Sequence, residues 1–335
     1  MRQAVGLFAV CLFSSSFVSA EPAPPKSLLE KAKLADPVQV ESLTLTPLIA
    51  TDKELPASDE LLTLDETMPK KLVKIVEFNE GDVNNLTFSN KADHPVFLLA
   101  GEVIIGGKQD RIIGRNTIIP AKKTQQVPVY CVEHGRWTGE TKEFTTANAL
   151  AHGRLRGKAS FDGQQDVWNE VATKNAERKT TSQTDTYRKI AQQQSDGTLK
   201  TWQKSIDASL DKLSDEDKSH LVGFAVSVNG KVATIDLFQS PALFKKLEGK
   251  LVRSYITEAV DTKAQKNIKA PTDKDVKAFV ADAEKAKSEA SYATDSSDTK
   301  VNKGAHSAKA SVSYKKAGAP PTAAAPAVYE TYEVR

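Results

Sequence analysis

Residues 96–137 collect the densest group of potentially reactive side chains in the sequence: Glu102, Gln109, Asp110, Arg111, Cys131, Glu133, His134 and Arg136. A carboxylate such as Glu102 or Glu133 works as a general acid or base when its surroundings move its pKa toward neutrality. Arginine forks and amides, here Arg111, Arg136 and Gln109, recognise oxyanions. A thiol such as Cys131 is a nucleophile only as the thiolate, which needs a base beside it. All the types are present, but their spacing specifies no reaction. Each also has a structural reading. Glu102 and Arg111 fit an ion pair across a short hairpin, Gln109-Asp110-Arg111 fits a turn that bonds its own backbone, and Cys131 fits an inert thiol on an apolar face.

Glu102 and Glu133 are therefore the candidate acid/base groups. Gln109, Asp110, Arg111, His134 and Arg136 are the candidate ligand-binding group. Cys131, Glu133, His134 and His152 include metal-donor types but match no zinc spacing, so no metal and no cofactor is expected. Arg136, His152, Arg154, Arg156 and Lys158 form a local basic group, read as a solvated loop with an anion site as the sharper alternative. Trp137, Trp168 and Trp202 are expected to anchor cores.

The elements that must position these groups follow from periodicity. Residues 96–105 are apolar on both parities, the pattern of a strand covered on both faces, disturbed by Gly101 and Glu102. Gly106-Gly107-Lys108 makes a hairpin turn, 111–119 the return strand, and 127–132 a third strand with Val127, Val129 and Cys131 on one face. Continued unkinked, that strand puts Glu133 on the Cys131 side and His134 on the other. Upstream, 38–49 reads as a strand with a break near Glu41, 61–71 as a helix start, and 72–78 and 83–88 as strands around a turn at 79–82.

After Trp137 the pattern turns helical. Helices are expected at 144–156, 164–178, 185–194 and 198–213, with another start at Ser214. Residues 221–238 alternate on either side of Asn229-Gly230, the strongest hairpin signal in the chain. Ser240-Pro241 then opens a helix to about Val260. Residues 271–290 read as a helix and 291–304 as a polar linker. The stretches 308–316 and 327–334 either add late strands or belong to a disordered tail. The expected fold is α+β: a β-rich first half with a sandwich-like antiparallel or mixed sheet (38–137), then helices packed around a hairpin and helix (138–262), with a flexible lead-in at 21–37 and a low-complexity tail at 263–335.

Residues 1–20 carry Arg2, a short apolar centre and Val18-Ser19-Ala20, the marks of a cleaved export signal too short for a lasting membrane span. Periplasmic or extracellular residence follows as an expectation. Cleavage removes Cys11 and leaves Cys131 as the only thiol, so stability rests on an ordinary core. With 46 Lys and Arg against 43 Asp and Glu, a net charge of +3, nothing marks duplex nucleic acid as a partner.

Six segments carry a resemblance: LTLTPL at 43–48, LLTLDET at 61–67, LLAGEVIIGGKQDR at 98–111, VPVYCVEHGRW at 127–137, QQDVW at 164–168, and VGFAVSVNGKVATIDLFQSPALF at 222–244. They resemble a bacterial and archaeal domain family named for association with ADP-ribosylglycohydrolase and rhodanese-phosphatase superfamily proteins, across roughly residues 38–260. The name implies nucleotide or ADP-ribose chemistry nearby, and an export signal would separate this copy from cytosolic ADP-ribose. The resemblance implies no activity of its own. Three function classes remain. The first is a binding or scaffolding module of the cell envelope that holds a small anion or an envelope protein. The second is a hydrolase or transferase acting on a phosphate- or ADP-ribose-like substrate with a Glu acid/base and Arg anion stabilisers, and the third is a redox protein using Cys131. The lack of a complete catalytic set favours the first.

Overall fold

The computed structural model describes residues 27–52, 60–79, 82–137, 142–315, 325 and 327–335. The expected signal at 1–20, the start of the lead-in at 21–26 and the middle of the turn at 79–82 lie outside the described residues. Strands β1 (Ala32–Leu34), β2 (Val38–Val40) and β3 (Leu43–Ala50) come first, then the one-turn helix α1 (Leu64–Thr67) and strands β4 (Val73–Glu77) and β5 (Asn85–Asn90). Next run β6 (Val96–Leu98), β7 (Glu102–Gly106), β8 (Arg111–Ile113), β9 (Thr117–Ile119), β10 (Thr124–Cys131) and β11 (Glu143–Leu150). Helices α2 (Gly153–Phe161), α3 (Gln164–Arg178), α4 (Arg188–Gln193), α5 (Gly197–Leu210) and α6 (Asp215–Ser219) follow. The hairpin β12 (Leu221–Val228) and β13 (Lys231–Phe238) precedes α7 (Pro241–Ala259) and α8 (Asp273–Glu284). Strands β14 (Ser288–Ala293), β15 (Ser297–Lys303), β16 (Ser307–Tyr314) and β17 (Ala327–Val334) complete the α+β architecture.

The antiparallel pairing of the first half closes into a barrel, in the order β10-β5-β4-β11-β7-β8. Alternate residues fill it: Ile75, Phe88, Ile104, Ile113, Val127, Val129 and Phe144 form one buried cluster, as period-2 side-chain alternation requires. A nine-stranded antiparallel sheet runs β1-β3-β12-β13-β17-β16-β15-β14, with β2 paired to β3. One face of it packs Leu45, Phe224 and Phe238 against Trp202 of α5 and Leu247 and Leu251 of α7. The other packs Leu48, Ile235 and Leu237 against Val276 and Val280 of α8. Cover on both faces leaves β3 buried from Leu43 to Ile49 and β12 from Leu221 to Ser227, polar positions such as Thr44, Thr46 and Ser227 included. The Asn229-Gly230 turn has φ of 49° and 78°, the left-handed pair that a two-residue hairpin turn needs.

Four expectations change. The run 96–105 is not one strand: it breaks at Gly101, where φ is +92° and an added Cβ would sit 2.5 Å from Arg156 Cγ. β6 therefore pairs with β9 while β7 joins the barrel, and the return segment 111–119 breaks correspondingly into β8 and β9. Residues 144–156 hold a strand before the helix, because Thr145 and Thr146 pair with Ile105 and Ile104 of β7; β-branched residues with a waiting edge override a weak helical pattern. From Ser27 onward the lead-in is folded, with Leu28 and Leu29 buried against the second sheet.

The fourth change is the polar linker at 291–304, most of which is strand. Its buried positions in β15 are Ser297, Thr299 and Val301, a polar pattern that hides its burial. The hydroxyls are satisfied across the junction with the start of β9: Ser297 meets Thr117 at 3.1 Å and Thr299 donates to the Asn116 carbonyl at 2.5 Å. The tail 263–335 contributes α8 and four paired strands to the second sheet.

Candidate functional site

The turn between β7 and β8 and the segment after β10 meet at one end of the barrel. The Asp110 N–H donates to Glu133 Oε2 at 3.1 Å, and Gln109 Nε2 donates to the Glu133 carbonyl at 2.7 Å. Asp110 has no solvent exposure. Its carboxylate accepts from Arg188 of α4 at 2.6 and 2.9 Å, from Thr186 at 3.0 Å and from Arg136 at 3.3 Å. Arg136 also donates to Glu133 at 2.9 Å and to the Gly107 carbonyl at 2.8 Å. Burial opposes ionisation of Glu133, but hydrogen bonds from Arg136 and the Asp110 N–H outweigh it and hold the carboxyl below its ordinary range. Five of the candidate residues, Gln109, Asp110, Arg111, Glu133 and Arg136, thus share one corner.

Arg111 differs from its neighbours. Two residues before Ile113, which lies in the barrel core, it enters the end of the same interior. It is 0% exposed. Nη1 donates to the Gln109 carbonyl at 2.8 Å, while Nε and Nη2 are buried without an acceptor among the described residues. Nε–H and one Nη2–H run parallel, the edge of a guanidinium that grips two oxygens at once. Cys131 stands directly opposite Arg111 in the β8–β10 register. Burial pushes its thiol up, against the pull of the Arg111 charge, and Glu77 acts on it in the same direction as burial. Glu77 of β4 accepts from the Lys108 N–H at 2.8 Å through Oε1 and keeps Oε2 buried without a donor among the described residues.

Glu102 and His134 lie elsewhere. The expected Glu102–Arg111 pair does not form, because the register sets Ile104, not Glu102, opposite Arg111. Glu102 instead takes Lys250 of α7 at 2.7 Å, and Lys250 also meets Asp65 at 2.5 Å. Burial pushes the Glu102 carboxyl up and the Lys250 charge opposes it. His134 is exposed and packs edge to face on Trp168 at 4.4 Å. Trp137, expected to anchor a core, is 47% exposed, with Lys108 over its ring.

The basic group at 152–158 is not a solvated loop. It forms α2 and its cap, and each member faces a carboxylate: His152 on Glu170 at 2.8 Å, Arg154 on Glu258 at 2.7 Å, Arg156 on Asp236 at 2.6 Å and Lys158 on Asp162 at 3.0 Å. With His152 held by Glu170 and Tyr187, the donors Cys131, Glu133, His134 and His152 do not converge. Among the described residues no group of three or more His, Cys, Asp or Glu side chains is arranged to hold a metal.

Sequence reasoning missed Glu77, Arg188, Lys250 and the buried set around Asp236, where Tyr255 donates at 2.6 Å and Tyr329 also donates. Asp236 had a signal: a single carboxylate inside the apolar strand VATIDLF needs a partner. Arg188 had none, since its role depends on where α4 docks.

Residues 31–319 match the family model described as the ARG and Rhodanese-Phosphatase-superfamily-associated Protein domain, and the chain belongs to that family. No curated protein and no solved structure matches it. No helix among the described residues is long and apolar enough to cross a membrane.

Proposed function

We propose that this family member is a binding module of the cell envelope, exported by residues 1–20, which holds a small oxyanion at the Arg111 end of its barrel. The observation that carries the reading is the free edge of Arg111: a fully buried guanidinium with Nε and Nη2 lacking protein acceptors. Leaving such donors unmet in a low-dielectric site is costly, and two oxygens of one anion satisfy both. Asp110 and Glu133 do not compete for that edge, because Arg188 and Arg136 already occupy them. The donor-free Oε2 of Glu77 favours an oxyanion that keeps a hydroxyl, so hydrogen phosphate is preferred to sulfate.

The hydrolase or transferase reading has less support. Glu133 is held ionised by Arg136, which suits an acceptor of hydrogen bonds rather than an acid, and Glu102 is locked to Lys250 away from the arginines.

Calorimetric titration with phosphate and with sulfate tests the proposal. Phosphate is expected to bind the intact chain more tightly than sulfate, Arg111→Met to abolish binding, and Glu77→Gln to erase the preference. Equal phosphate heats from wild type and folded R111M, or none from wild type, would overturn it.

A further inference from the structure

Lys250 of α7 is the hub of a buried ionic set remote from the barrel end. Its side chain is 2% exposed, and Nζ touches Asp65 Oδ2 of α1 at 2.5 Å and Glu102 Oε1 of β7 at 2.7 Å. Glu102 is buried as deeply as the lysine, whereas Asp65 keeps 25% of its side chain exposed. Apolar groups close the rest. Glu102 Oε2 accepts from the Leu99 N–H at 3.0 Å, Leu150 stands opposite Glu102 in the β11–β7 register, and both leucines share one buried cluster with Leu251. Asp65 Oδ1 accepts from the Thr146 hydroxyl at 3.3 Å.

An ion pair so placed contributes little net stability, because stripping water from both partners offsets their attraction. The same contact has a second outcome. An amine and a carboxyl held together out of bulk water, beside another carboxyl that can carry a proton, are positioned to condense to an amide. Burial opposes the Lys250 charge and the two carboxylates restore it, so the amine is freed by passing a proton to one of them. Glu102 is the receiver, since burial raises its affinity for a proton against the pull of Lys250. Lys174 makes the informative contrast. It too is buried, on Asp261 and Glu177 at 2.9 Å each. Glu177, however, is 33% exposed, and although burial pushes its carboxyl up, Lys174 and Arg154 hold it below its ordinary range. That lysine has no proton carrier of the Glu102 kind.

We propose that Lys250 and Asp65 are joined by an intramolecular isopeptide bond, formed by the folded chain itself with Glu102 as the proton carrier. Nζ gives one proton to Glu102 Oε1 and attacks Asp65 Cγ, while the Thr146 hydroxyl holds Oδ1. Glu102 returns that proton to Oδ2, a second follows from the nitrogen, and the Cγ–Oδ2 bond breaks to release water toward the exposed side of Asp65. Ammonium and carboxylate have become amide and water, and Glu102 is again a carboxylate. Helix α1 sets Leu64 in the barrel core and α7 sets Leu247 and Leu251 against the second sheet, so the bond ties two layers. With Cys131 free, no disulfide among the described residues does so. This cross-link is independent of the Arg111 reading.

The test is the mass of the denatured full chain, followed by peptide mapping. Wild type is expected to be one water, about 18 Da, lighter than its sequence requires, with the loss located in a branched peptide that joins the segments around Asp65 and Lys250. Lys250→Met, Asp65→Ala and folded Glu102→Gln are each expected at full sequence mass. The wild-type map needs no variant, so a substitution that prevents folding leaves the test intact. R111M should carry the bond, which separates failure here from failure at the barrel end. A wild-type chain without the water loss, a loss mapped to any other position, or a complete bond in E102Q would overturn the inference.

Discussion

Arg156 of α2 and Asp236 of β13 meet side by side, at 2.9 Å and 2.6 Å, with exposures of only 2% and 0%. The pair joins the helical layer to the second sheet, and Tyr255 and Tyr329 complete the shell of the carboxylate. Removing one member strands the other as a buried, uncompensated charge, a loss of about 3–5 kcal/mol. Asp236→Asn and Arg156→Met are each expected to lower the unfolding free energy in urea by about that amount. The double change Arg156→Met with Asp236→Leu should recover part of it. If D236N unfolds within about 0.5 kcal/mol of wild type, the pair does not join the layers.

A pH dependence follows from the neighbouring Glu333, whose carboxyl lies 3.7 Å from Arg156 Nη1. Burial pushes it up to about 8, against the pull of Arg156 and with the help of Asp236. In the unfolded chain the same group ionises near its ordinary value. Between that value and about 8 the folded protein keeps a proton that the unfolded chain has released, so its stabilisation is full at the acid end and lost as pH rises through the window. Glu333→Gln is expected to flatten the decline in melting temperature across that window. Parallel curves for wild type and E333Q would contradict this.

Cys131 is buried, and burial raises its thiol pKa. A thiol reagent should leave the native protein unlabelled and react only once denaturant is added. Rapid labelling of the folded chain would instead revive the redox reading.

Gly249→Ala should stabilise the protein, because the added methyl meets nothing closer than Arg253 Nη1 at 3.6 Å. The expected gain in urea unfolding is about 0.5–1 kcal/mol. A loss of stability would show that the face of α7 at Gly249 is packed more tightly than its geometry indicates.

Much of this molecule was readable from local chemistry. The Asn229-Gly230 hairpin, the helix opening at Ser240-Pro241 and the strand read at 127–132 are written in nearest-neighbour pattern, and all three form, the last as β10 at Thr124–Cys131. The meeting of the Gln109-Asp110-Arg111 turn with Glu133 and Arg136 was also accessible, since both flank strands with clear alternation. What local pattern could not carry was register and docking. Glu102 looked close to Arg111 in sequence, but the register moved it past and α7 supplied Lys250. Strand β15 hid because its inward residues, Ser297 and Thr299, are polar and find their partners only when Asn116 and Thr117, at the start of β9, arrive.

An oxyanion at the barrel end would engage two N–H bonds of one side chain, and their resonances report that engagement directly. In the ¹⁵N spectrum of the folded protein, the Arg111 Nε–H resonance, assigned by its disappearance in Arg111→Lys, should shift saturably as phosphate is added and less so with sulfate. An Arg111 resonance that stays in place throughout the phosphate titration, while the protein remains folded, would contradict an oxyanion site at the barrel end.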